Sequence, residues 1–237
     1  MKLLRLATIA IICIGAVVLA YRMAYPSLTL RYRLTLEAEV DGQPKSGSGV
    51  IEVTYTKQPQ IAAQPELSVS FRGEAVVLDL GKRGTLFALL KPDTDSRSGP
   101  EWIVLRAFDF PGGSLPRLVE EGIKQLRRLS GKRELPLGSL PMLVRFRDMN
   151  DPLTAERVRP DIAEQFGSGA RLTRATLEIV PTGIWPFNSF GISGEQLTRV
   201  VQGRLSWLHR LNGGYIDGEF TSRNAPLGLH GGDFQRS

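Results

Sequence analysis

Cysteine and histidine are almost missing from this chain, and each shortage removes a class of chemistry. Cys13 is the single cysteine among 237 residues, which excludes an intramolecular disulfide. Only His209 and His230 could join it, so a zinc site of the usual Cys/His kind is excluded too. No dinucleotide fingerprint, P-loop or G-x-S-x-G nucleophile motif occurs. Gly 25 and Pro 15 are too few for a low-complexity or collagen-like chain, and no internal repeat is present. What remains is an ordinary globular composition, 42% hydrophobic and 23% charged, with room for one generous domain or two small ones.

The one long apolar run lies at the start. Lys2 and Arg5 precede the uncharged stretch Leu6 to Tyr21, and Arg22 follows it. At about 1.5 Å per residue the run covers roughly 24 Å as a helix, short of a hydrocarbon core of roughly 30 Å. Arg5 and Arg22 can snorkel, and Tyr21 and Tyr25 suit the interface, so a helix from Leu3 to about Ala24 can span. A cleaved signal is the rival, with small residues at Val18-Leu19-Ala20, although Arg22 disfavours cleavage there. A lipoprotein signal does not fit, because Ile12 stands before Cys13. The positive-inside bias retains the amino terminus in the cytoplasm and sends the rest across the membrane. The expected organisation is an anchor or signal segment over 1–25 and a single exported domain over 26–237.

The net charge is +6, and without the first twenty residues 28 basic side chains face 24 acidic ones. The densest positive stretch carries Lys124, Arg127, Arg128, Lys132 and Arg133. Such a cluster can meet anionic lipid head groups or nucleic acid, although a solvated helix face explains it more simply, with Glu120 and Glu121 complementing the helix dipole. Lipid is the better match for an exported, tethered domain, and nucleic acid the poorer.

Period-two alternation from Leu28 to Val40 marks a strand with one wet face, and Asp41-Gly42 begins a turn into a return strand through Ile51, Val53 and Tyr55. Leu67, Val69 and Phe71 mark a third strand. The apolar runs Ala75 to Leu80 and Thr85 to Leu90, split by Gly81-Lys82-Arg83-Gly84, predict a second hairpin buried on both faces. Trp102 to Phe108 reads as another strand. Ser114 is placed to cap a helix running to Leu129 and stopped by Ser130-Gly131. Met142 to Arg147 reads as a strand, Asp151-Pro152 as the start of a short helix to Val158, Pro160 to Gly167 as another helical turn, and Thr173 to Ile179 as a strand. Ser193 and Gln196 form a capping-box pattern before a helix from Glu195 to Leu211. The sum is an α+β fold: an N-terminal transmembrane helix, then a mainly antiparallel sheet domain with two main amphipathic helices.

Few constellations point to chemistry. Asp148, Asn150 and Asp151 are spaced like a poor calcium loop and more simply like a turn and a cap, as is the weaker set Asp93, Asp95 and Ser96. His230 and Asp233 lack a positioned serine. The segment Gly183 to Ile192 is more unusual, because Trp185, Phe187 and Phe190 sit with Ile184 and Ile192 in a stretch punctuated by Pro186 and two glycines. Either it folds over the core or it meets a bilayer or a partner. Trp185, Phe187, Phe190, Lys124, Arg127 and Arg128 are therefore the candidate interaction residues; no catalytic, cofactor or metal residue is assigned.

The phrases YRLTLEAEVDG, GEAVVLDLG, RPDIAEQFG, RATLEIV and LHGGDF resemble uncharacterised proteobacterial envelope proteins with one N-terminal membrane segment. The resemblance implies a bacterial envelope setting and supplies no catalytic residue, ligand or partner. The expectation is a single-pass inner-membrane protein whose periplasmic domain binds an envelope protein or anionic lipid. An envelope hydrolase or cation-dependent enzyme is the alternative, and a nucleic-acid binder the third.

Overall fold

The alternating stretch beginning near Leu28 forms the central strand of the molecule. In the computed structural model, which describes residues 2–60, 64–184, 186–188, 190–208 and 226–236, β1 (Ser27–Val40) turns at Asp41-Gly42 into β2 (Gln43–Lys57). Both turn residues have positive φ, 51° and 76°, as a tight hairpin of this hand requires. β3 (Leu67–Glu74) extends the sheet, and β9 (Ala170–Val180) pairs with the other side of β1. β6 (Lys132–Glu134) and β10 (Gln235–Arg236) close the two edges, giving the antiparallel order β10-β3-β2-β1-β9-β6. The even-numbered residues of β1, among them Tyr32, Leu34 and Leu36, face the main core, and Tyr32 and Tyr55 donate their hydroxyls to the carbonyls of Pro100 and Glu101.

A second antiparallel sheet lies against this core, in the order β4-β5-β7-β8: β4 (Val76–Asp79), β5 (Thr85–Ala88), β7 (Leu143–Phe146) and β8 (Ala155–Val158). Leu78, Leu86 and Ala88 enter the main core, while Phe87, Leu89 and Phe146 enter a smaller one with Trp207 and Phe234. The hairpin over residues 75–90 is thus buried on both faces, as its unbroken apolar text requires. The aromatic rings of the small core meet edge to face, Phe146 and Trp207 at 5.1 Å and Trp207 and Phe234 at 5.9 Å. Gly47 on β2 lets the two sheets touch through backbone, since a Cβ there would stand 2.1 Å from the Val77 carbonyl oxygen.

The helices depart most from the sequence reading. Ile103–Ala107 is the short helix α2 where a strand is expected; a continuous apolar run carries no period to separate the two. α3 (Val119–Leu126) starts after Leu118, not at Ser114, and is a single short amphipathic helix with Val119, Gly122, Ile123 and Leu126 inward. Asp151 caps only the single 3-10 turn Pro152–Thr154, which leads into β8 and not into a helix. α4 (Ala163–Phe166) ends at Gly167 as expected. The second main helix is absent over residues 195–200; α5 (Val201–Arg204) is one turn, and residues 209–211 lie outside the described residues. Ser193 and Gln196 have other work. The Ser193 hydroxyl accepts from the Ile184 amide at 3.0 Å, and the Gln196 amide donates to the Gly191 carbonyl at 3.3 Å. Both close the preceding loop and neither caps a helix. α6 (Gly231–Phe234) precedes β10.

At the N-terminus, α1 (Lys2–Ala24) leads through Tyr25 and Pro26 into β1, and its side chains from Thr8 to Ala24 are all exposed. Among the described residues no helix is long and apolar enough to cross a membrane.

Candidate functional site

The outer face of the six-stranded sheet is polar, because the odd-numbered residues of β1 and their neighbours point there. Arg31, Glu52 and Arg72 stand side by side on β1, β2 and β3. Arg31 donates to Glu52 at 2.8 Å and Arg72 donates to the other oxygen of the same carboxylate. Burial pushes the Glu52 carboxyl up, and the two guanidiniums pull it down further, so it settles below the ordinary range. One carboxylate between two guanidiniums leaves a net positive charge.

Residues 195–200 run across this face as a strap. Arg31 donates to the Glu195 carbonyl at 2.5 Å, Arg33 donates to the Glu195 carboxylate at 2.6 Å, and the Val50 amide donates to the Thr198 hydroxyl at 2.9 Å. At its far end the buried Glu74 carboxylate accepts from the amides of Val200 and Val201. These attachments join residues more than a hundred positions apart.

Where the strap reaches the β3–β10 edge it borders a cleft of about 620 Å³. Arg72, Arg199 and Arg236 reach it, with Thr198, Gln202 and Gln235. Arg72 is held by Glu52, and Arg236 lies 4.3 Å from the centre of the Phe71 ring and donates to the Gly232 carbonyl. The exposed Arg199 has no side-chain hydrogen bond or ion pair among the described residues. Glu74, the acidic residue of the lining, spends one oxygen on the amides of Val200 and Val201. The cleft therefore suits a carboxylate or phosphate, which two or more guanidiniums can hold with charge-assisted hydrogen bonds.

The candidate interaction residues lie elsewhere. Phe187 and Phe190 are 52% and 75% exposed, and Ile184 and Ile192 are each 72% exposed, so these four side chains do not fold down over the core. Trp185 lies outside the described residues. Lys124, Arg127 and Arg128 are exposed on α3 and the turn after it; Lys124 pairs with Glu121, whereas Arg127 and Arg128 have no side-chain partner among the described residues.

The remaining candidates serve turns. Asp148 accepts from the Asn150 amide and Asp151 from the Leu153 amide, each at 2.9 Å. Asp95 accepts from the Arg97 amide and pairs with Arg106, while Asp93 pairs with Arg157. Asp233 accepts from the His230 backbone amide at 2.8 Å and lies 3.5 Å from Lys91, and His209 is outside the described residues. Among the described residues no group of three His, Cys, Asp or Glu side chains could hold a metal ion. The cleft arginines carry no sequence signal: Arg72 reads as one wet position of a strand, Arg199 as a polar position of the expected helix from Glu195 to Leu211, and Arg236 falls in a tail without periodicity. No protein-family model, curated protein or solved structure matches the chain.

Proposed function

We propose that this protein is a membrane-anchored envelope domain that binds an anionic group of a partner in the arginine cleft and performs no chemistry of its own. The observation that carries the reading is the convergence of Arg72, Arg199 and Arg236 on one cleft, with Arg199 unpaired among the described residues. α1 is the anchor in this reading. The part of α1 whose side chains are described, Thr8–Ala24, is not long and apolar enough to cross by itself; the whole helix has 23 residues, which rise about 35 Å at 1.5 Å each, and its exposed apolar side chains, from Ile9 through Val17 to Met23, lie on every side. A helix apolar all round needs cover, and a bilayer supplies it. Lys2 and Arg5 before the uncharged run favour a cytoplasmic amino terminus and a periplasmic domain, with the inner membrane as the location.

Two measurements test this. A reporter fused after Ser237 is expected to be active only when exported, and cytoplasmic activity there would overturn the orientation. A photo-cross-linker at Gln202 in whole cells is expected to capture a partner in the wild type and to lose it in Arg199→Glu. An adduct indifferent to Arg199→Glu would remove the cleft from the function.

A further inference from the structure

The pairing of β1 with its neighbours brings three separate stretches to one end of the molecule. Arg31 stands opposite Val180, so β9 finishes where β1 begins, beside the point at which α1 joins the domain. The chain that carries the exposed Ile184, Phe187, Phe190 and Ile192 leaves from that finish and returns to it, since the Glu195 amide donates to the Pro181 carbonyl at 2.8 Å. α3 crosses the same end of the sheet on its core side. Its Glu120 pairs with Lys57, whose amide bonds to the Pro26 carbonyl at 3.0 Å, and beyond its last turn the Gly131 carbonyl accepts from the Ile179 amide at 3.0 Å. Outside α1, eight large apolar side chains are exposed among the described residues, and five of them, Leu118, Ile184, Phe187, Phe190 and Ile192, lie at this end. Arg127, Arg128 and Lys132 are there too, exposed and without side-chain partners among the described residues.

We infer that this end is a lipid-docking surface: Ile184, Phe187, Phe190 and Ile192 enter the interface of the bilayer that holds α1, and Arg127, Arg128 and Lys132 lie against its anionic head groups. This rests on the anchor reading of α1. A domain tethered through only Tyr25 and Pro26 is confined next to a bilayer, so even a weak surface meets lipid at high effective concentration. Aromatic rings are favoured at the interfacial depth, and each basic residue near an anionic surface adds to the attraction. A docked domain would stand with the Asp41-Gly42 turn outward, about 40 Å away along β1. The arginine cleft, whose Arg72 stands in one row with Glu52 and Arg31, would be held at a fixed height above the lipid.

The test uses the full chain in nanodiscs, with Cys13→Ser and an environment-sensitive fluorophore on Phe187→Cys, Phe190→Cys or Gln43→Cys, the last at the outward turn. Lipids spin-labelled at the head group should quench the first two and leave the third unaffected. In nanodiscs containing phosphatidylglycerol, Arg127→Glu with Arg128→Glu should cut the quenching several-fold; quenching indifferent to that change would overturn the role given to the basic residues. Silence at both loop positions would overturn the inference, and a protein covering the loop instead of lipid would give that silence. Extraction of the wild type by alkaline carbonate would instead overturn the anchor reading. A chain that resists carbonate while its loop stays silent would leave the anchor standing and remove the docking surface alone.

Discussion

Glu101 shows how one half-buried carboxyl can work against the fold that holds it. Its backbone carbonyl accepts the Tyr55 hydroxyl, but its Oε2 is buried with no hydrogen-bond partner among the described residues. Burial raises its pKa, and its own backbone hydrogen bond and Arg236 only partly offset that. A raised folded-state pKa means that the folded chain binds the proton more tightly than the unfolded one. Stability is therefore lost as pH rises from the ordinary glutamate value of about 4.3 through the folded value. Glu101→Gln should melt at a higher temperature than the wild type at pH 7, with the gap closing towards pH 4. An unchanged gap across that range, followed by calorimetry, would mean that charge is not the cause. Glu52 carries the opposite sign: its depressed pKa stabilises the fold above the ordinary value, and that contribution disappears as pH falls through the depressed one.

Among the elements, the strap over residues 195–200 is the least expected and the most dependent on distant partners. It has no repeating hydrogen-bond pattern, so its position comes from Arg31, Arg33, Val50 and Glu74. Glu74→Leu would leave the Val200 and Val201 amides without their acceptor, at a cost of about 1–3 kcal/mol for a buried unsatisfied group. Denaturant unfolding should show a loss of that order, and hydrogen exchange at Val201 should accelerate. Slow exchange at Val201 in the variant would show that α5 holds its own position through the Trp207 cluster. The strap runs from the loop that follows Val180 to the arginine cleft, so the same variant should also disturb capture by a cross-linker at Gln202.

For the whole molecule, the two sheets and their two cores are complete without α1. β1 starts at Ser27, and the side chains of Thr8–Ala24 are all exposed. A fragment beginning at Pro26 should therefore fold alone, without metal or disulfide, and chelator should leave its melting temperature unchanged. A chelator-sensitive fragment would restore Asp148 and Asp151 as a cation site.

Much of the sheet was legible from the residues. β1, the Asp41-Gly42 turn, β3, the doubly buried hairpin and β9 follow from alternation and from turn residues, which act over a few positions and need no distant partner. The exposed basic face of α3 and the unusual loop at 184–192 could also be singled out by composition. The long-range part could not. Ser193 and Gln196 look like a helix start until the loop claims their hydrogen bonds, and the apolar run at Trp102 has no period until the core surrounds it. β6 and β10 are too short and polar to announce themselves. The cleft joins Arg72, Arg199 and Arg236, and the end of the sheet where β1 begins joins residues near 57, 128 and 187, so both groupings exist only once the strands are paired. Local sequence determined which segments extend, turn and carry charge; strand register and burial, set by contacts between residues far apart in the chain, decided which of them meet.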